Sequence, residues 1–208
     1  MFMELFGRGT LVGFAIAAPV GPIGMLVIRR TLADGRMLGL LTGLGAATAD
    51  AFYGCVGAFG LTFISSFLMG YALWTKLIGG AFLCYLGIST LRAKPVTEAN
   101  PASKAKAMGA YLSTMLLTLA NPATILSFMA VFAGLGLDTN GGDYGAASIV
   151  VAGVFIGSAL WWLLLSGGVS LLQHRLAAET MKWINLGSGL FLLIFGIVAI
   201  SLPFLTTA

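Results

Sequence analysis

Long apolar runs separated by short polar segments dominate this chain. A bilayer-spanning helix needs roughly 20 mostly apolar residues, and six stretches of the sequence meet that condition. They cover approximately residues 5–28, 37–64, 67–91, 108–135, 144–172 and 183–204. An alternation typical of β-barrel strands does not run through them, which disfavours a barrel. The pattern therefore predicts an all-α membrane protein with six transmembrane helices.

The composition supports a membrane protein and argues against several other classes. Of the 208 residues, 59% are hydrophobic and 9% are charged, whereas soluble domains carry about 25% charged residues. The net charge is +4, but the basic residues lie in connections and form no basic face, so nucleic-acid binding is rejected. Cys55 and Cys84 fall inside apolar runs and His174 in a polar connection. We expect no metal site and no cofactor.

The Lys and Arg positions predict the orientation of the chain. With six spans, nine of the 11 basic residues fall on one side of the membrane, a positive-inside bias. These nine are Arg29, Arg30, Arg36, Arg92, Lys94, Lys104, Lys106, Arg175 and Lys182. We therefore predict that the polar segment 92–107 is cytoplasmic and that both termini face outward.

The two halves of the chain share an internal pattern. Setting Pro22 against Pro122 places a helix breaker deep inside spans one and four, and spans three and six each carry two glycines seven residues apart. Three spans per half is an odd number, so the halves enter the membrane with opposite orientations. We predict two inverted repeats, 1–91 and 108–208, joined by 92–107. This is the pattern of a secondary transporter. Because span one has a partner, we expect it to be kept, although "AIA" at 15–17 resembles a signal-peptide cleavage site.

Two interrupted helices at membrane depth predict a ligand site. Gly21, Pro22 and Gly24 break span one, and Asn121 and Pro122 break span four. Irregular backbone survives in a bilayer where it lines a cavity, and the exposed N–H groups of a helix N-terminus bind carboxylates. The alternative is that the prolines only kink the helices. The paired breaks favour substrate binding by these five residues.

Asp50 is the one acid inside a predicted span. Placing a carboxylate at the bilayer centre costs about 2.5–3.5 kcal/mol on insertion scales, so such a residue normally faces the bundle interior and has a function. A small-residue stripe on the same helix face permits close helix packing, and Tyr53 is a candidate hydrogen-bond partner. Asp50 is therefore a candidate for substrate binding and proton coupling. The alternative is a protonated carboxyl that joins helices. The stripe consists of Gly43, Ala46, Ala47, Gly54 and Gly57.

Three motifs together resemble the LysE/RhtB family of bacterial amino-acid exporters. They are "APVGPIGMLVIRR" followed by "GLGAATADAFYG", then "GGAFLCYLGISTLRAK", then "TLANPATILSFMAVFAGLG", in the family's order and spacing. The resemblance covers nearly the whole chain. It implies proton-driven export of an amino acid across a bacterial inner membrane, with Pro22, Asp50, Asn121 and Pro122 carried over as site residues. Ala123 stands where members often have a charged residue, so the specificity stays open.

These observations lead to one mechanism with several alternatives. The broken helices hold the substrate carboxylate, the Asn121 amide orients it, and Asp50 exchanges a proton for the substrate ammonium while the halves rock around the site. A metal or inorganic-ion exporter, a membrane enzyme and a non-transporting scaffold are the other classes, and a homodimer is left open. Trp161 and Trp162 are adjacent and face different directions, so both are expected to face lipid and neighbouring helices, with the alternative that one of them lines the cavity. The role of Asn185 is unassigned.

Overall fold

The computed structural model describes residues 1–19, 21–58, 70–93, 103–121, 124, 127–128, 144–173 and 178–205, and the regular structure in these ranges is α-helical. They contain seven helices with defined bounds. These are α1 Phe2–Ala17, α2 Pro22–Asp34, α3 Arg36–Ala58, α4 Ala72–Leu91, α5 Lys104–Leu119, α6 Tyr144–Gln173 and α7 Ala178–Leu205.

Several of these helices are suited to a bilayer. Helices α6 and α7 each contain a stretch long and apolar enough to cross it, Tyr144–Leu172 and Glu179–Ser201. Helices α1 and α2 are bent by 81° relative to each other and make a third span if the pair is counted as one. Helix α4 contributes a shorter apolar segment, Lys76–Leu91. The chain is thus a helical membrane protein. The six-span arrangement stays a prediction, because parts of spans two, three and four lie outside the described residues.

Helix α3 lies at the centre of the helix packing. It contacts α2, α5 and α6, while α1 packs along α6 and α4 packs along α7. Small residues make these approaches close. A Cβ atom at Gly45 would collide with the carbonyl oxygen of Tyr111 on α5, and one at Gly43 would collide with the Trp162 side chain on α6. Gly43, a member of the predicted small-residue stripe, therefore brings α3 against α6, while Gly45, which lies outside that stripe, brings it against α5. Close approach at small residues is expected for packing in a membrane.

The glycines of α4 and α7 meet one another. A Cβ atom at Gly196 would lie 2.7 Å from the carbonyl oxygen of Gly80, and one at Gly87 would lie 2.9 Å from that of Gly189. The two helices run antiparallel, since the earlier glycine of α4 meets the later glycine of α7. Both helices have two glycines seven residues apart. The α4–α7 interface therefore contains two glycine pairs, about two helical turns apart.

An apolar cluster fixes the helices around the break between α1 and α2. It contains Ala17 at the end of α1, Val27 of α2, Ala46 and Ala47 of α3, and Trp162 of α6. All five side chains are buried. Because four helices contribute to it, this cluster determines how α2 and the neighbouring turn of α3 are placed relative to α6.

Candidate functional site

The helix that follows the break in the first predicted span begins without a side-chain cap among the described residues. Helix α1 ends at Ala17, and α2 begins at Pro22 with Gly21 as its N-cap. Among the described residues, no side chain caps the α2 N-terminus. The Met25 amide donates to the Gly21 carbonyl at 3.0 Å, but the amides of Ile23 and Gly24, in the first turn, have no acceptor within the helix. The break therefore presents donors and the positive end of a helix dipole.

Asp50 is held by a hydrogen-bonded chain that begins on α6. The carboxyl is buried, with 3% of the residue exposed. Its Oδ2 accepts a hydrogen bond from Ser158 Oγ at 2.6 Å, and the same Oγ accepts from Trp162 Nε1 at 3.1 Å. Ser158 and Trp162 lie one helical turn apart on α6, so both act from a single helix face. They fix the position of the carboxyl.

The predicted hydrogen bond between Tyr53 and Asp50 is wrong. The Tyr53 hydroxyl donates to the carbonyl oxygen of Leu119 at 2.6 Å, while its ring packs in a cluster with Val12 and Phe128. Leu119 is the last residue of α5, and carbonyls in the final turn of a helix lack intrahelical donors. Tyr53 thus supplies a hydrogen-bond donor to the last carbonyl of α5. The described donor to Asp50 is Ser158.

A cavity of about 100 Å³ lies at the helix break and brings most of the predicted site residues together. Its described walls combine the end of α1, the start of α2, the Asp50 turn of α3, the end of α5 and Trp162 of α6. They are formed by Ile16, Ala17, Pro19, Gly21, Pro22, Ile23, Gly24, Ala46, Asp50, Thr118, Asn121, Thr124 and Trp162. Five of the six residues predicted to bind substrate are among them. The sixth, Pro122, lies outside the described residues.

The sequence reasoning missed several cavity residues. Ser158, which bonds Asp50, and Thr118 and Thr124, which line the cavity, were not among the predicted site residues. One usable signal was present, because Ser158 and Trp162 are four residues apart and share a helix face. Of the two alternatives for the tryptophan pair, the one in which a single ring lines the cavity is confirmed, since Trp162 is buried and lines it. Trp161 packs edge-to-face on Phe14 of α1, with ring centroids 5.4 Å apart.

Arg30 ties the second half of the broken helix to two other helices. Its Nη1 donates to Thr42 Oγ1 on α3 at 3.2 Å, and to the Ala110 carbonyl at 3.1 Å and Thr114 Oγ1 at 3.2 Å on α5. Nη2 donates to Ser113 Oγ at 3.2 Å. Arg30 lies eight residues after Pro22, roughly 12 Å along the helix axis. This network therefore fixes α2 at a distance from the cavity.

Two other polar residues lie outside the cavity wall. Lys106, counted in the sequence only as an orientation charge, forms an ion pair with Asp34 at 2.6 Å, which joins the start of α5 to the end of α2. Asn185 is buried on α7 and donates from Nδ2 to the carbonyl of Ala93 at 3.4 Å. Its unassigned role is thus structural in part, at the end of α4.

Comparison with known proteins gives a consistent family assignment. The family model for the LysE type translocator matches residues 14–202. "Putative amino acid efflux protein YcgF" from Bacillus subtilis (strain 168) is 27% identical over 199 residues, 93% of this chain and 94% of that protein. "Lysine exporter LysE" from Corynebacterium efficiens is 23% identical over 222 residues, covering 89% of this chain and 93% of that protein. "Chemotactic transduction protein ChpE" from Pseudomonas aeruginosa is 26% identical over 197 residues, with 92% and 95% covered.

The matched region contains the helix break, the buried carboxyl and the α4–α7 interface described above. Translocators of this kind are transporters and not enzymes, which agrees with the apolar helices of this chain. The chain is a membrane transporter that belongs to the LysE type translocator family.

Proposed function

We propose that this chain exports an amino acid, or a closely related small zwitterion, from the cytoplasm in exchange for protons. One observation carries the proposal: a single cavity is lined by the uncapped start of α2, by the buried Asp50 and by Asn121. An amino acid has an anionic and a cationic group on one carbon, and these surfaces suit both groups. The names of two relatives, an amino acid efflux protein and a lysine exporter, support the same class of substrate.

The start of α2 is the proposed carboxylate site. The amides of Ile23 and Gly24 belong to a helix N-terminus that no side chain in the described part of the chain caps. Such termini bind anions through N–H groups and the helix dipole. Gly21 and Gly24 lack side chains that would keep a ligand from the backbone. Asn121 and Pro122, at the corresponding break in the other half, complete the proposed site, where the Asn121 amide orients the substrate.

Asp50 is the proposed point of exchange between substrate and proton. An ionised carboxylate binds an ammonium group, whereas a protonated carboxyl has no charge to offer it. Ser158 already donates to one carboxyl oxygen, and we propose that the second oxygen, to which no described side chain donates, binds either partner. Because the proton and the ammonium group compete for one carboxylate, release of substrate on one side and of a proton on the other are coupled.

We further propose that the halves 1–91 and 108–208 are inverted repeats joined by a cytoplasmic segment, 92–107, with both termini outside and the chain in the bacterial inner membrane. The helix pairs support this. Packing of α1 on α6 has its counterpart in packing of α5 on α3, since these are the first and middle helices of opposite halves. A pseudo-twofold rotation that exchanges the two halves would also exchange the two glycine contacts between α4 and α7. Alternating access would then be rocking of the halves around the cavity.

A thermal-shift screen of the purified protein in detergent tests the substrate class. A ligand at a hundred times its Kd stabilises the folded state by about 2.7 kcal/mol, so we expect amino acids at millimolar concentration to raise the melting temperature by several degrees. Divalent metal salts should leave it unchanged. The Asp50→Asn variant should show a much smaller shift, and Glu4→Gln, which alters an exposed acid paired with Arg8, should keep the full shift. Stabilisation by metals alone, or by no amino acid, would contradict the proposal.

A further inference from the structure

The cavity between α2 and Asp50 is small compared with most amino acids. Its volume is about 100 Å³, whereas an apolar cavity of roughly 150 Å³ accepts benzene. Alanine has as many non-hydrogen atoms as benzene, and lysine has several more. The cavity is partly open, and the volume that it encloses matches the smallest amino acids, so a longer side chain would have to extend through the opening.

The wall that limits the cavity is held in place. Trp162 presents its ring to the cavity and is fixed at Nε1 by the hydrogen bond to Ser158 Oγ. Its neighbour Ala46 is buried in the same apolar cluster. Moving the indole to enlarge the cavity would break its bond to Ser158, and that serine also holds Asp50. Adding space for a larger substrate would thus disturb the proposed exchange site.

The charges around the cavity favour a substrate with one cationic group. Among the described lining residues, Asp50 is the one ionisable side chain. The other acids that the structure describes are each in an ion pair: Glu4 with Arg8, Asp34 with Lys106 and Glu179 with Lys182. If the substrate ammonium takes Asp50, a cationic side chain would enter the cavity without a counter-charge, and an unpaired buried charge is strongly disfavoured.

The other described side chains of the cavity wall are uncharged. Ile16, Ala17, Ile23 and Ala46 are aliphatic, and the hydroxyl groups of Thr118 and Thr124 are neutral. We propose that the cavity selects small amino acids with neutral side chains, of the size of glycine, alanine and serine, and excludes lysine and arginine. This inference rests on the proposed function and narrows its substrate class.

Efflux from proteoliposomes tests the selectivity. Vesicles containing the purified protein are loaded with equal concentrations of labelled alanine, serine, leucine and lysine, and a proton gradient is imposed. Discrimination by one methylene in a tight pocket is worth about tenfold or more. We therefore expect alanine and serine to leave roughly ten times faster than leucine, and lysine efflux to equal that of protein-free vesicles.

A wall variant separates cavity size from other causes. Ile16→Ala removes side-chain volume from the cavity wall and should raise leucine efflux relative to alanine. Ile78→Ala, the same substitution at an exposed position of α4, should leave that ratio unchanged. Ile16→Val makes a smaller change in the same direction if the alanine variant folds poorly. An unchanged ratio in a folded Ile16 variant would overturn the size argument.

Two further outcomes distinguish the proposed selectivity from the proposed export function on which it rests. Lysine efflux as fast as that of alanine, and dependent on Asp50, would overturn the selectivity and leave the export proposal standing. Absence of gradient-driven efflux for every amino acid would overturn the proposed function, and the selectivity with it. Wild-type efflux rates show whether lysine is exported, and the Asp50→Asn variant shows whether that export uses the same site.

Discussion

The Asp50→Asn variant is expected to lose amino-acid efflux driven by a pH gradient. Asparagine is nearly the same size as aspartate and can still accept the hydrogen bond from Ser158, so the fold around the cavity should persist. It cannot take up a proton or carry a negative charge. A charge-assisted hydrogen bond contributes about 1.5–3 kcal/mol, so substrate affinity should fall by about tenfold to a hundredfold. Coupling to the gradient should disappear entirely.

The measurement is initial efflux from proteoliposomes with and without an imposed pH gradient. Wild-type vesicles should accelerate efflux when the gradient is applied, and Asp50→Asn vesicles should give the same slow rate in both conditions. Glu4→Gln is the matched control, since its acid is exposed and paired with Arg8. If gradient-driven efflux persists undiminished in Asp50→Asn, Asp50 has no part in coupling and acts as a link between helices.

Ser158→Ala is expected to lower efflux by about tenfold, because it removes two hydrogen bonds from one buried chain. Asp50 Oδ2 loses its donor at 2.6 Å, and Trp162 Nε1 loses its acceptor at 3.1 Å. A buried polar group left without a partner costs about 1–3 kcal/mol. Both the carboxyl and the indole should then shift within the cavity, so affinity for substrate falls and its size selection weakens.

A double-mutant comparison tells a positioning role from a general loss of stability. If Ser158 acts through Asp50, Ser158→Ala should have little further effect in the Asp50→Asn background, since coupled residues are non-additive. Ser148→Ala, on the same helix but exposed and bonded only to the Tyr144 carbonyl among the described contacts, should transport as wild type. Equal losses of efflux in both backgrounds would show that Ser158 does not work through Asp50.

The parts of the fold that were predictable depend on local chemistry. A run of apolar residues must form helix in a bilayer because its backbone has no water to bond, so the helical class follows from the pattern. The first break is equally local. Pro22 lacks an amide proton and favours the first position of a helix, and α2 begins there. The burial of Asp50 follows from the cost of exposing a charge to lipid.

The details of the site were less predictable because they depend on contacts between distant parts of the chain. Ser158 lies 108 residues from Asp50, and no local pattern identifies that pairing. Tyr53 has the right spacing on α3 to reach Asp50, yet its hydroxyl bonds Leu119. That carbonyl became available only because α5 ends there, next to the second break. The Tyr53 hydroxyl therefore bonds the free carbonyl at the end of α5 rather than the carboxyl that its spacing on α3 suggested.

The proposed inverted repeat depends on both local and long-range features. Matching Pro22 with Pro122 and comparing glycine spacings suggested it, but neither pattern alone determines how helices pack. The meeting of Gly80 with Gly196 and of Gly87 with Gly189 gives the spacing a physical meaning, since backbones approach closely at both levels. The predicted pattern thus identified residues at an interface before it identified the partner helix.

Proton release on substrate binding tests the central claim most directly, namely that an amino acid and a proton compete for Asp50 in one cavity. Purified protein in weak buffer is titrated with alanine over a series of pH values while a pH indicator is recorded. We predict release of up to about one proton per bound alanine from the wild-type protein, and none from Asp50→Asn. Alanine binding without proton release at any pH, or equal release from both proteins, would contradict the account.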